Sequence, residues 1–397
     1  MSLGGVFMTD TDGNIGVEKI TLSEKVCGLL FDISAQTDFW TKGPAAELAD
    51  SLKDAVIELN SMDDVAALGI KAYTGETEDG ISKDFLFGIP YYHIEHFFKL
   101  NGGKGRLFIA FADCSENWDA LLDMQQASNG IISQFGVWTE QSLWKEADAK
   151  AETYTVQLVD DIQLVANSMA NDLHAPAAFV LNANSAKVKT ADGVATSVVF
   201  SKIPSCIVDC RYVAVALSQS TDAEVRAMQV ALDSKTPVGN IGVILGLLST
   251  LNVADNIGCV MYNNVGNYFH DIEMGFGDCT VEEGATAIKN SMRYAAMRPK
   301  QLDTLDDLGY IFLHKHAGLE GGIYFNSDPT CSDGDYRSIS RNRVINKSRR
   351  LVRQALLPYV NYKIKVDPAT GQLSSANITM FQNLVSGALQ SMVDSEE

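Results

Sequence analysis

Basic residues are scarce in this chain. Thirty-one lysines and arginines stand against 50 aspartates and glutamates over 397 residues, a formal net charge of −19. A surface of that sign repels phosphate, so nucleic acid is excluded as the main partner, and anionic membrane surfaces with it. Long apolar runs are lacking too. The most apolar stretch, GNIGVILGLLSTLNV at 239–253, is too short to span a bilayer and is broken by glycine and asparagine. The opening MSLGGVFMTDTDGNIG has neither a basic leader nor an apolar core, so no signal peptide is expected, and its MSL is compatible with a vector leader. Apolar residues still make up 46% of the chain, ample for a sizeable core in two or three domains.

Cysteine is sparse and scattered: Cys27, Cys114, Cys206, Cys210, Cys259, Cys279 and Cys331. An odd set of this kind reads as free thiols in a reducing compartment. The one close pair, CIVDC, has three intervening residues, unlike the two-residue spacing of zinc knuckles and redox motifs.

The familiar catalytic signatures are missing as well: no P-loop, no H-E-x-x-H, no G-x-S-x-G. NGGKGR at 101–106 precedes a strand rather than opening a helix, so its amides do not converge on an anion, and it reads as a helix stop and turn. Asp10, Asp12 and Asn14 mimic the start of a calcium loop. The glycine comes two places early, however, and Thr21 stands where glutamate is needed. His93 and His96 lie one helical turn apart, and His314 and His316 alternate on a strand. Either pair needs a third ligand to hold zinc, and the aromatic neighbours in YYHIEHFF favour a packing role. No metal or cofactor is expected.

What is present is an alternation of strand and helix patterns. Strands are read at 25–34, 105–113, 130–140, 177–183 and 211–219, and helices at 44–59, 61–69, 89–103, 156–173 and 221–232, with Pro44 and Pro90 in first turns. This order predicts an α/β fold with a largely parallel sheet. Towards the C-terminus it becomes α+β: a hairpin at 308–328 turning around 318–322, a loop at 329–338, a basic helix, a strand and turn at 362–374, and an amphipathic helix at 377–393. Residues 1–16 read as an extended arm. The expected organisation is an arm (1–16), an N-terminal segment (17–115), a middle α/β domain (116–300) and a C-terminal domain (301–397).

Several segments, in order, resemble the contractile tail sheath proteins of bacteriophages and phage-tail-like injection particles, in a divergent, prophage-type form. The opening GGVFMTDTDGNIGVEKITLSEKVCGLLFDIS resembles that family's arm and first strand. NSMDDVAALG resembles its short helix, and IEHFFKLNGGKGRLFIAFAD its helix, Asn-Gly-Gly stop and strand. The stretch from DLGYIFLHKHAG to RNRVINKSRRLVRQALLPYV resembles its hairpin, loop and basic helix. Tyr324 and Phe325 stand where the family has Trp-Gly, and the sequence stops at Glu397 where further strands and a C-terminal arm are expected. The resemblance implies a structural subunit and no enzyme. Such subunits assemble helically around an inner tube on a baseplate, inside a particle built in the bacterial cytoplasm, and contract by rigid-body rearrangement without a nucleotide. The arm, with Val6, Phe7 and Met8, would add a strand to a neighbouring subunit.

One segment runs against the charge balance: SRNRVINKSRRLVRQALLP at 340–358 carries Arg341, Arg343, Lys347, Arg349, Arg350 and Arg353 and no acid. Helical spacing places Val344, Ile345, Leu351, Val352, Ala355 and Leu356 on an apolar face, with Arg343, Lys347 and Arg350 opposite. The expectation is that Arg341, Arg343, Lys347, Arg350 and Arg353 meet an acidic surface of the tube or of a neighbouring subunit through salt-sensitive contacts. Two alternatives stay open: an α/β enzyme with a site at the C-terminal ends of its parallel strands, and a binding module using the HIEH aromatic surface.

Overall fold

The computed structural model describes residues 24–34, 52–73, 77–78, 81–82, 85–103, 105–148, 153–183, 200–231, 237–269, 271–274, 292–363, 366 and 371–394. The arm, the calcium-like loop, the first half of the helix read at 44–59, Cys279 and part of the strand read at 362–374 lie outside the described residues.

The centre of the fold is a seven-stranded sheet. In chain order its strands are β1 (Cys27–Asp32), β2 (Ile57–Leu59), β3 (Leu107–Ala112), β4 (Gln134–Trp138), β5 (Ala178–Asn182), β6 (Val213–Ala216) and, after the three strands of another sheet, β10 (Tyr310–Ile311). Their spatial order is β10-β6-β5-β4-β1-β3-β2, with β2 alone antiparallel. The sheet crosses both 115/116 and 300/301, where sequence alone places domain limits. Registers such as Leu29 opposite Ile109 and Gly136 fix which residues share a face. Because side chains alternate along a strand, the near-continuous apolar runs of β1, β3 and β5 require cover on both sides.

Both sides are covered by helices. On one side Leu29, Phe31, Ile109 and Phe111 pack against α2 (Phe85–Leu100) and α6 (Ile241–Thr250). On the other, Leu30, Phe135 and Phe179 pack against α3 (Asp119–Ala127) and α4 (Gln157–Asn171). The apolar stretch at 239–253 is thus a buried helix. It approaches α2 closely because Gly242 and Gly246 carry no side chain. A Cβ at Gly242 would lie 2.0 Å from the His93 carbonyl oxygen.

The short helix α1 (Met62–Ala67) starts as expected, with Ser61 and Asp64 forming a reciprocal capping box. Three readings need correction. The helix expected to 59 is over by Asp54, which has φ 57°, and Ile57–Leu59 pairs as a strand with β3. Pro90 lies inside α2 instead of opening it. The single strand read at 211–219 is two: after Leu217 the chain leaves the parallel sheet as β7 (Ser218–Ser220), which pairs with β8 (Ile272–Met274) and through it with β9 (Met292–Arg293). α3 was not legible at all.

The C-terminal part follows from α5 (Ala223–Ala231) and α7 (Pro299–Asp307). The expected hairpin is β11 (Leu313–His314) against β12 (Tyr324–Phe325). The basic segment is α8 (Ile339–Leu356), N-capped by the Ser338 hydroxyl, which accepts from Arg341 N–H. It pairs with α9 (Ser375–Asp394).

Candidate functional site

The basic helix is the first place to look, and two of the basic side chains predicted to face outwards, Arg343 and Arg350, are buried. Its buried line is Ile339, Asn342, Arg343, Asn346 and Arg350, at helical spacing, while Ile345 on the predicted apolar face is exposed. Arg343 is 1% exposed. One guanidinium nitrogen donates to the Leu248 and Leu251 carbonyls at 3.0 and 3.1 Å, and the other to Asn252 at 3.1 Å. These carbonyls belong to the end of α6, where backbone acceptors have no helical donor and the dipole favours a cation. Arg350, 4% exposed, places one nitrogen 2.8 Å from both carboxylate oxygens of Glu24. Its other terminal nitrogen donates to the carbonyls of Ile132 and Pro176. Two of the five basic residues expected to meet a partner are therefore engaged inside the chain. Arg341 and Arg353 are exposed. Lys347 is half-buried, and burial pulls its ammonium below the usual lysine range, opposed by the nearby Glu24 carboxylate.

Between α8, α9 and the end of α4 lies a groove of about 570 Å³. Val352, Leu356 and Leu389 give it an apolar floor, and Arg349 and Arg353 a cationic rim. Arg349 is braced by donating to the Tyr212 hydroxyl at 2.9 Å and to the Ala170 carbonyl at 3.4 Å. Leu357 and Val360 at its end are 53% and 65% exposed.

The second place is the crevice where the strand order reverses, beside the C-terminal end of β1, the usual ligand position in doubly wound sheets. Here it is filled. Asp32 Oδ1 accepts from the Ser34 and Cys114 amides at 3.0 and 3.1 Å, and Oδ2 from Thr139 Oγ1 and Gln141 Nε2 at 2.6 and 2.8 Å. Asn182, ending β5, exchanges two hydrogen bonds with the Thr139 backbone. The carboxylate is 1% exposed, and its four lone-pair directions all face groups of this chain.

The histidine pairs resolve as packing groups. The Gly242 amide donates to His93 Nδ1 at 3.3 Å, so the proton sits on Nε2, which donates to the Val238 carbonyl at 3.0 Å. Burial holds the ring neutral, its pKa pulled down to about 3. His96 donates to the Tyr92 carbonyl at 2.7 Å. His314 and His316 face each other edge-on, 4.3 Å between centroids, with His316 against Tyr324. Among the described residues no three metal-ligating side chains come together. No described helix is long and apolar enough to cross a membrane. Val6, Phe7 and Met8 lie outside the described residues. Glu24, Asp32 and Tyr212 escaped the sequence reading; only the unpaired excess of arginine on α8 signals that acceptors must come from elsewhere.

These features define a doubly wound α/β body with a helical C-terminal hairpin strapped across it by buried arginines. The chain belongs to the DUF2586 family, whose N-terminal domain matches residues 3–328 and whose C-terminal domain matches residues 335–397. No curated protein matches it in sequence. Among solved structures it is similar to a chain of the anti-feeding prophage baseplate and to one of the same particle's helical sheath in the contracted state. Both likenesses have 13% identity and TM-score 0.49, over 99% and 100% of this chain and 84% of theirs. The sheath tail protein from Desulfitobacterium hafniense is similar at 9% identity and TM-score 0.48, over 98% of this chain and 89% of that one.

Proposed function

We propose that this chain is a structural subunit of a contractile tail sheath, in a phage or phage-tail-like particle assembled in the bacterial cytoplasm. It would stack helically around an inner tube above a baseplate and contract by rigid-body rearrangement. The observation that carries this reading is how the segments of the sheath resemblance come together. The first strand, the helix–Asn-Gly-Gly–strand unit and the hairpin–loop–basic helix fold as one body. Arg350 on the last of these grips Glu24, just ahead of the first, across 326 positions of sequence. Rigid-body motion needs such a strap, since a subunit that rearranges in a lattice must not come apart internally. The filled crevice at Asp32 supports a role without chemistry. On this reading Arg341 and Arg353, both exposed, meet an acidic surface of tube or neighbour, and Val6, Phe7 and Met8 reach a neighbouring subunit.

Negative-stain microscopy of the concentrated full-length protein, alone and co-expressed with its tube protein, tests the proposal. Striated tubes are expected. Discrete particles under both conditions overturn it. If tubes form, Arg341→Glu with Arg353→Glu reduces tube decoration and leaves the fold intact; unchanged decoration rejects the basic docking surface alone.

A further inference from the structure

The groove between α8 and α9 has an apolar floor, a cationic rim and half-exposed leucine and valine at its end, which is the chemistry of a site for an acidic, apolar peptide. We propose that its occupant is the chain's own first 23 residues, docked in cis.

Three observations point there. The first is where that segment joins the body. Glu24 is clamped by Arg350 on α8, and its carbonyl accepts from Gln134 Nε2 at 2.7 Å. Arg350 also donates to the Pro176 carbonyl, and Pro176 lines the groove. Glu24, where the described residues begin, is therefore held beside the groove wall by the helix that carries Arg349 and Arg353. Twenty-three residues reach up to about 80 Å when extended, so distance imposes no limit.

The second observation is composition. Residues 1–23 carry Asp10, Asp12 and Glu18 against a single Lys19, with apolar Val6, Phe7, Met8, Ile15, Val17 and Ile20 between them. Apolar side chains suit the floor of Val352, Leu356 and Leu389, and the carboxylates suit the rim of Arg349 and Arg353. Arg353 has no ion-pair partner among the described residues. The third is tethering. A segment attached at the groove wall competes at an effective concentration in the millimolar range, ahead of any free peptide of similar chemistry. Docking in cis is a property of the single chain and holds whether or not the chain builds a sheath. If it does, the segment is withheld from neighbouring copies until it is displaced.

Photo-crosslinking of the full-length protein, with p-benzoylphenylalanine in place of Phe7, tests this. After irradiation across a wide range of protein concentrations, crosslinks are expected from position 7 to peptides containing Val352–Val360 or Leu389, in a species of monomer size and with a yield independent of concentration. In the same background, Asp10→Lys with Asp12→Lys, and separately Arg353→Glu, lower that yield by about threefold to tenfold and make it salt-sensitive. Arg353 is exposed, and circular dichroism of these charge variants should match the parent. Crosslinks only to other surfaces overturn the proposal. So does a dimer-sized product whose yield rises with concentration, which would assign the groove to a second copy's segment. A yield unchanged by both charge reversals rejects the cationic rim as the recognition element.

Discussion

Replacing Arg343 by methionine isolates the strap on α6 from everything else the basic helix does. Methionine keeps the aliphatic stem in its buried slot and removes only the guanidinium. Three carbonyls, of Leu248, Leu251 and Asn252, then lose a charged donor while staying buried at a helix end. Hydrogen bonds of this kind contribute about 1.5–3 kcal/mol each. Against that sum stands the relief of no longer burying a cation, several kcal/mol, together with an Nε that has no partner in the native fold. The net loss is about 3–5 kcal/mol. A urea slope of about 3 kcal/mol/M converts it to a fall in midpoint of about 1–1.7 M. Trp138 and Trp144, 4% and 2% exposed, report the transition by fluorescence. Arg353→Met, at an exposed position of the same helix, is the control and changes stability by no more than about 0.5 kcal/mol. Equal midpoints for the two variants would refute the assignment of Arg343 as a helix-end cap. Charge reversal of Arg343, Lys347 and Arg350 together places two acids where buried cations belong, so its expected outcome is unfolding rather than undocking.

Three further outcomes follow. Gly242→Ala sets a methyl 2.0 Å from the His93 backbone oxygen, where neither helix can yield, so loss of soluble protein or a melting temperature lower by several degrees is expected in a thermal scan. Asp328 accepts from the Ser340 amide at 2.8 Å and the Asn256 side chain at 2.6 Å, yet burial pushes its pKa up to about 6 from 3.8. A raised acid pKa stabilises the fold fully at low pH and loses that contribution as pH rises through 6. Relative to the parent, Asp328→Asn should therefore gain about 2 kcal/mol between pH 4 and pH 7, read from urea midpoints at both. Thiol reagents should leave Cys27, Cys114, Cys206, Cys210 and Cys331 unlabelled in the native protein. All five are buried, and burial pushes Cys27 up to about 12. Labelling at any of them before denaturation, seen by peptide mapping, contradicts the packing described.

The alternation of apolar strands with amphipathic helices was legible because each pattern is local. KVCGLLFD and RLFIAFA read as strands whatever lies beside them, and the sheet follows from their order. Features set by distant partners were not. Ile57–Leu59 looks like the end of a helix until β3 supplies its hydrogen bonds. The apolar stretch with Gly242 and Gly246 shows its helix only once α2 provides the surface that needs both gaps. The basic helix is the sharpest case. A periodicity argument sorts residues by water affinity, so it turns arginine outwards. It has no access to the carbonyls at the end of α6 or to Glu24, the groups that turn Arg343 and Arg350 inwards. A signal was nonetheless present: Asn342, Arg343, Asn346 and Arg350 fall on one line with Ile339, and a helix with six basic side chains and no acid must find its acceptors elsewhere. In a chain of net charge −19 those acceptors are plentiful, and while Arg343 and Arg350 strap the C-terminal helix inwards, Arg341 and Arg353 stay exposed. The same helix thus serves cohesion through Arg343 and Arg350, and the methionine and glutamate substitutions separate that role from the docking proposed for its outer face.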